Sequence, residues 1–103
     1  MAKTWHKKYG VYIKTNSYLA KVAAWKLHTK QIAMVIGKTI HLYGVSEDAF
    51  LANERWLKHE LKHVEQYKEN GTIKFLGLYL LESIKSGYYN NRFEKEARAA
   101  EDL

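Results

Sequence analysis

The stretch WLKHELKHVEQY, residues 56–67, sets His59 and His63 four positions apart, with Glu60 directly after the first. Four residues along an α-helix advance about 6 Å and turn only slightly past one full revolution. Both imidazoles then project from one face, one above the other. Two histidines so placed can share one Zn²⁺ at Zn–N distances of about 2.0–2.1 Å. Glu60 cannot comfortably bind the same ion, but it can reach a water on it. This is the HExxH arrangement, in which zinc acidifies the water and the glutamate takes its proton. The plain alternative is a charged, solvated helix face.

The surrounding pattern supports a helix there. It is expected to run from about Asn53 to Glu69 and to stop at Asn70-Gly71, a natural left-handed cap. Upstream, SYLAKVAAWKLHTK opens on Ser17, a good N-cap, and carries Leu19, Val22, Ala23, Trp25 and Leu27 in an amphipathic pattern that predicts core packing for Trp25. QIAMVIGKTIHLYG, residues 31–44, is β-rich around Gly37-Lys38 and predicts a short hairpin. VSEDAFLAN, residues 45–53, follows as a loop or a helical turn capped by Ser46. TIKFLGLYLLESIKSG, residues 72–87, is apolar on most sides and predicts a central buried helix ending at Gly87, with Gly77 permitting close helix contact. Tyr88 to Asn91 form a connector, and RFEKEARAAEDL is a last helix capped by Asn90 or Asn91. The order of helix, hairpin and three helices implies a small α+β fold, and residues 1–103 form one domain of a size that buries a single modest core.

Composition narrows the chemistry. Apolar residues make up 47% and charged residues 27%, which is globular rather than disordered. Without cysteine, a disulfide framework or thiolate metal site is excluded, so any metal must be held by His, Asp or Glu. No apolar signal segment is visible in MAKTWHKKYGVYIKTN, and FLGLYLL, residues 75–81, is far shorter than the ~20 residues of a membrane span. A cytoplasmic location is the expectation. Residues 1–46 hold eight lysines and no acid, while residues 47–103 hold nine basic against eleven acidic side chains, so +8 and −2 give the net charge of +6. A basic half can attract nucleic acid or acidic surfaces, but no nucleic-acid motif accompanies it and a solvated lysine-rich face is the simpler reading.

A catalytic zinc site needs three protein ligands and one open position. Glu82, Glu94, Glu96, Glu101 and Asp102 are the acidic candidates. FEKEARAA suits the role best, because a helix following a connector can fold back on the HExxH helix with Phe93 as its anchor.

Taken together, WLKHELKHVEQY and GTIKFLGLYLLESIKSGYYNNRFEKEARAAED resemble the minimal gluzincin-like metallopeptidases, which include small bacterial domains of unknown function. Those show HExxH followed by VxQ, a GY segment and an NPFExEA helix. The likeness runs from about Thr39 to Asp102. It departs at Arg92, where the pattern has proline, and at Arg98, where an Asp or Asn often supports the site. The resemblance implies a zincin-like fold and Glu94 as third ligand, with Glu96 the alternative. It also implies peptide hydrolysis in which Zn²⁺ held by His59, His63 and Glu94 activates a water and Glu60 acts as general base. A Tyr or His would steady the oxyanion, with Tyr67, Tyr88, Tyr89 and His41 as candidates. KTIHLYG, residues 38–44, would be an edge strand pairing with an extended substrate, or would simply complete the hairpin. His6 and His28 read as ordinary polar residues. Competing functions are a zincin-fold binding module with zinc structural or absent, and a basic nucleic-acid-associated protein.

Overall fold

Val11, Ile13, Val35, Ile40 and Leu42 alternate with half-buried or polar neighbours along three strands, and this alternation gives the sheet one core-facing side. A computed structural model describes residues 3–103 of the chain. Its strands are β1 (Thr4–His6), β2 (Val11–Lys14), β3 (Ile32–Ile36) and β4 (Thr39–Tyr43), in the spatial order β1-β2-β4-β3. The two hairpins β1-β2 and β3-β4 are antiparallel, and β2 joins β4 in parallel with Ile13 opposite Ile40. A parallel pair needs a crossover. Helix α1 (Tyr18–Leu27) and β3 supply it.

Helices α2 (Glu47–Ala52), α3 (Glu54–Asn70), α4 (Thr72–Asn90) and α5 (Arg92–Ala100) follow β4 in sequence. Each of α1, α2, α3 and α5 begins at a side-chain cap, from Ser17, Ser46, Asn53 and Asn91 in turn. Leu57, Val64 and Tyr67 of α3 close the core with Phe50, Phe75 and Phe93. Burying each such large apolar side chain stabilises the fold by roughly 1.5–3 kcal/mol. The Tyr67 hydroxyl donates to the Val35 carbonyl at 2.9 Å and ties α3 to β3. Thus the expected α+β class holds, as a mixed domain of five helices and a four-stranded sheet among the described residues. No helix is long and apolar enough to cross a membrane among those residues.

Four expectations need correction. Trp25 is 75% exposed, not core. Helix α1 meets the sheet through Ala20 and Ala24, and the residue after Ala24 is rotated by about 100° away from that contact. His41 explains which face α1 covers. It points away from Ile40 and Leu42, and its Nδ1 lies 2.8 Å from Ser17 Oγ at the α1 cap. Helix α1 therefore sits on the sheet face opposite the main core.

Helix α4 is peripheral rather than central. Only Phe75 is buried, with Leu78 and Tyr79 half-covered, because α3 and the sheet already fill the core. A Cβ at Gly77 would meet nothing within 4 Å, so no close helix contact is made there. The helix does break at Gly87, at φ 79° and ψ 167°. Finally, of the two readings of residues 38–44 the hairpin holds and the edge strand does not: β4 pairs with β3 but is an interior strand, and the edge beside α3 is β3. The β1-β2 hairpin has no counterpart among the sequence expectations. Its strands are three and four residues long, too short for a strong period-2 signal.

Candidate metal centre

Helix α3 buries two adjoining faces. Leu57 and Val64 point into the core, while His59, His63 and Gln66 point toward α5, and Glu60 lies on the boundary between the two. Helix α5 lies against α3 because Phe93 and Ala97 anchor it, with Phe93 edge-on to Phe75 at 4.9 Å between ring centroids. Glu94 is the residue after Phe93 and is 3% exposed. Its two oxygens meet the two histidines separately. His59 Nε2 is 3.1 Å from one, and His63 Nε2 is 3.2 Å from the other.

His59, His63 and Glu94 each offer one ligand atom within 4.8 Å of the others, a group that could hold a metal ion. The remaining ring nitrogens are already engaged. His59 Nδ1 is 2.7 Å from Glu101 Oε2, and His63 Nδ1 is 2.9 Å from Gln66 Oε1. Such outer bonds fix the ring orientation and leave Nε2 as the inward-facing nitrogen. Gln66 is fixed in turn by donating to the Phe93 carbonyl and to Glu96, both at 3.0 Å. Glu96 is therefore a brace for Gln66, two bonds removed from the cluster. The Tyr79 hydroxyl donates to Glu94, and Arg55 reaches Glu101 and Asp102. Glu82 lies elsewhere, 4.0 Å from Arg92.

The electrostatics follow from this packing. Burial works against a charged His59, yet its bonds to Glu94 and Glu101 outweigh that and raise it to about 9. His63 is likewise raised despite its burial, chiefly by Glu94. Glu94 is held well below the ordinary carboxylate range: burial opposes this, and the two histidines overcome it. One carboxylate thus favours the charged form of both rings. A divalent ion would supply positive charge at the same three groups, and two imidazoles with one carboxylate form a donor set that such an ion accepts. Glu60 is 5% exposed, and burial pushes it up to about 7, against the pull of the neighbouring histidines.

A cleft of about 630 Å³ opens beside this cluster, lined by His59, Glu60, Tyr88, Glu101 and the start of β3 at Ile32 and Ala33. Of the four aromatic candidates for oxyanion support, Tyr88 alone lines it. His41 is on the far side of the sheet, Tyr67 is committed to Val35, and the Tyr89 carbonyl is bonded by Arg98. His6 pairs with Glu47 at 3.2 Å, away from the cleft. The sequence reading did not give Gln66 or Tyr79 a part in the site, nor Glu101 its role on His59. Two signals were present. Gln66 follows His63 by one helical turn, and Glu101 follows Glu94 by two, which places each pair on one face. Comparison with protein-family models, with curated proteins and with solved structures finds no match for this chain.

Proposed function

We propose that this chain is a zinc-dependent metallopeptidase with a zincin-like fold. The observation that carries the reading is the convergence of His59 Nε2, His63 Nε2 and a Glu94 oxygen beside Glu60, on the wall of an open cleft. His59, His63 and Glu94 would hold the zinc, which would supply Lewis acidity toward a substrate carbonyl and lower the pKa of a nearby water. Glu60, poised near neutrality, accepts the water's proton and returns it to the leaving amine. Tyr88, on the cleft wall, is a phenol that stays protonated near neutrality and donates to the oxyanion. Glu101 and Gln66 hold the imidazoles. The start of the edge strand β3, which lines the cleft at Ile32 and Ala33, takes an extended peptide by strand addition.

The test joins metal analysis to hydrolysis of an unfolded casein probe. The purified chain should carry one zinc and cleave the probe, and Glu60→Gln should keep the zinc and lose cleavage. A chain that takes up no zinc, or a Glu60→Gln variant as active as the parent, refutes the reading.

A further inference from the structure

Helix α4 leaves Ile73 84%, Leu80 61%, Leu81 62%, Ile84 75% and Leu76 38% exposed, all on the side turned away from the core. Isolated apolar residues on a surface need no explanation, but a contiguous patch of this size marks an interaction site. No acidic side chain interrupts it. Glu82, the one acid of α4, is half-buried on the inner side beside Arg92.

The spacing says what fits. Ile73, Gly77, Leu80 and Ile84 recur at intervals of four, three and four, the seam of two packed helices. The seam is also complementary to itself when run in the opposite direction. Turned about the midpoint between Leu78 and Tyr79, it sets Ile73 against Ile84 and Leu80 against Gly77. The open space over Gly77, where a Cβ would touch nothing, receives the partner's leucine. Leu76 and Leu81 flank the seam on its two sides. Self-complementarity of this kind is what a two-fold interface requires. The bare surface is on the order of 600 Å² per copy, so a pair would bury roughly 1,200 Å², the lower bound for a specific interface.

We infer that the chain forms an antiparallel homodimer through the Ile73–Gly77–Leu80–Ile84 seam of α4. The site at His59, His63 and Glu94 lies on the other side of this helix and stays accessible, so the inference stands apart from the proposed activity. Lys74 of one copy comes to lie on the same flank as Lys85 of the other. Added salt screens that repulsion and strengthens the dimer. Docking of the same face on an anionic membrane would weaken with salt instead.

Sedimentation analysis of the full chain tests this. The parent should sediment at twice the 12.1 kDa chain mass at tens of micromolar, more completely at high salt, and Leu80→Glu should sediment as a monomer with the thermal midpoint of the parent at dilutions where that is itself monomeric. A parent that is monomeric at several hundred micromolar overturns the inference, as does a dimer indifferent to Leu80→Glu. A monomer that pellets with phosphatidylserine vesicles overturns it in favour of a lipid surface. Direction is read separately. The chain has no cysteine, so under mild oxidation an Ile73→Cys chain should cross-link to an Ile84→Cys chain and neither to itself. Self-linking of Ile73→Cys refutes the antiparallel seam.

Discussion

Glu101 Oε2 sits 2.7 Å from Nδ1 of His59, so the last turn of the chain orients a side chain 42 positions earlier. Arg55 holds Glu101 and Asp102 in turn from the start of α3. Glu101→Ala should therefore weaken zinc binding by about 10–100-fold while leaving the ligand set intact. Competition with a zinc chelator measures it. An affinity equal to the parent's would show that the contact orients nothing.

Protons and metal compete for the same nitrogens. Glu94 and Glu101 raise His59 to about 9, so zinc uptake near neutrality should release at least one proton, to which His63, also raised, adds. Apparent affinity should then climb by up to about tenfold per pH unit for each proton displaced. Calorimetry in buffers of different ionisation enthalpy counts the protons directly. For the metal-free fold the sign is opposite. The raised His59 contributes stability that is complete below its ordinary value of 6.5 and is lost as pH rises toward 9.

Phe93 sits between Phe75 and the Glu94 that follows it, 5% exposed. Phe93→Ala should cost about 3–5 kcal/mol in urea unfolding, as large aromatic truncations in cores do. The same variant should lose zinc affinity, because α5 then loses its anchor. A loss below about 1 kcal/mol would mean that α5 is held by its polar contacts alone.

Gly44 closes β4 at φ +78°, and a Cβ there would come within 2.0 Å of the Lys30 carbonyl oxygen. Both the backbone conformation and the contact exclude a side chain. Gly44→Ala should destabilise by at least about 1–3 kcal/mol. Trp25→Ala is the control in the opposite sense. With Trp25 75% exposed, it should shift stability by no more than about 0.5 kcal/mol. Thermal denaturation of both variants checks the pair.

The residues differ in how far their position could be read in advance. His59, Glu60 and His63 lie on one helix, where spacing alone places them. Glu94 was reached only through its place beside Phe93 and a family likeness, because no rule of local spacing connects α5 to α3. Caps at Ser17, Ser46 and Asn91 were legible, since capping is local chemistry. The burial of α4 was not. Apolar residues on every side say that a helix seeks partners, not which face will find one, and here the sheet and α3 had closed the core first. Trp25 failed for a related reason: two alanines carried the packing, and small residues give little hydropathy signal. The role of β4 turned on β2, whose short strands near the N-terminus gave no warning that β4 would be flanked on both sides.

Glu94 bridges both histidines from a helix that meets α3 through few large side chains, with Phe93 the principal one. An ion seated among the three would draw its ligands from both helices. Binding it would therefore pin α5 to α3 and suppress the local opening of nine residues, Arg92–Ala100.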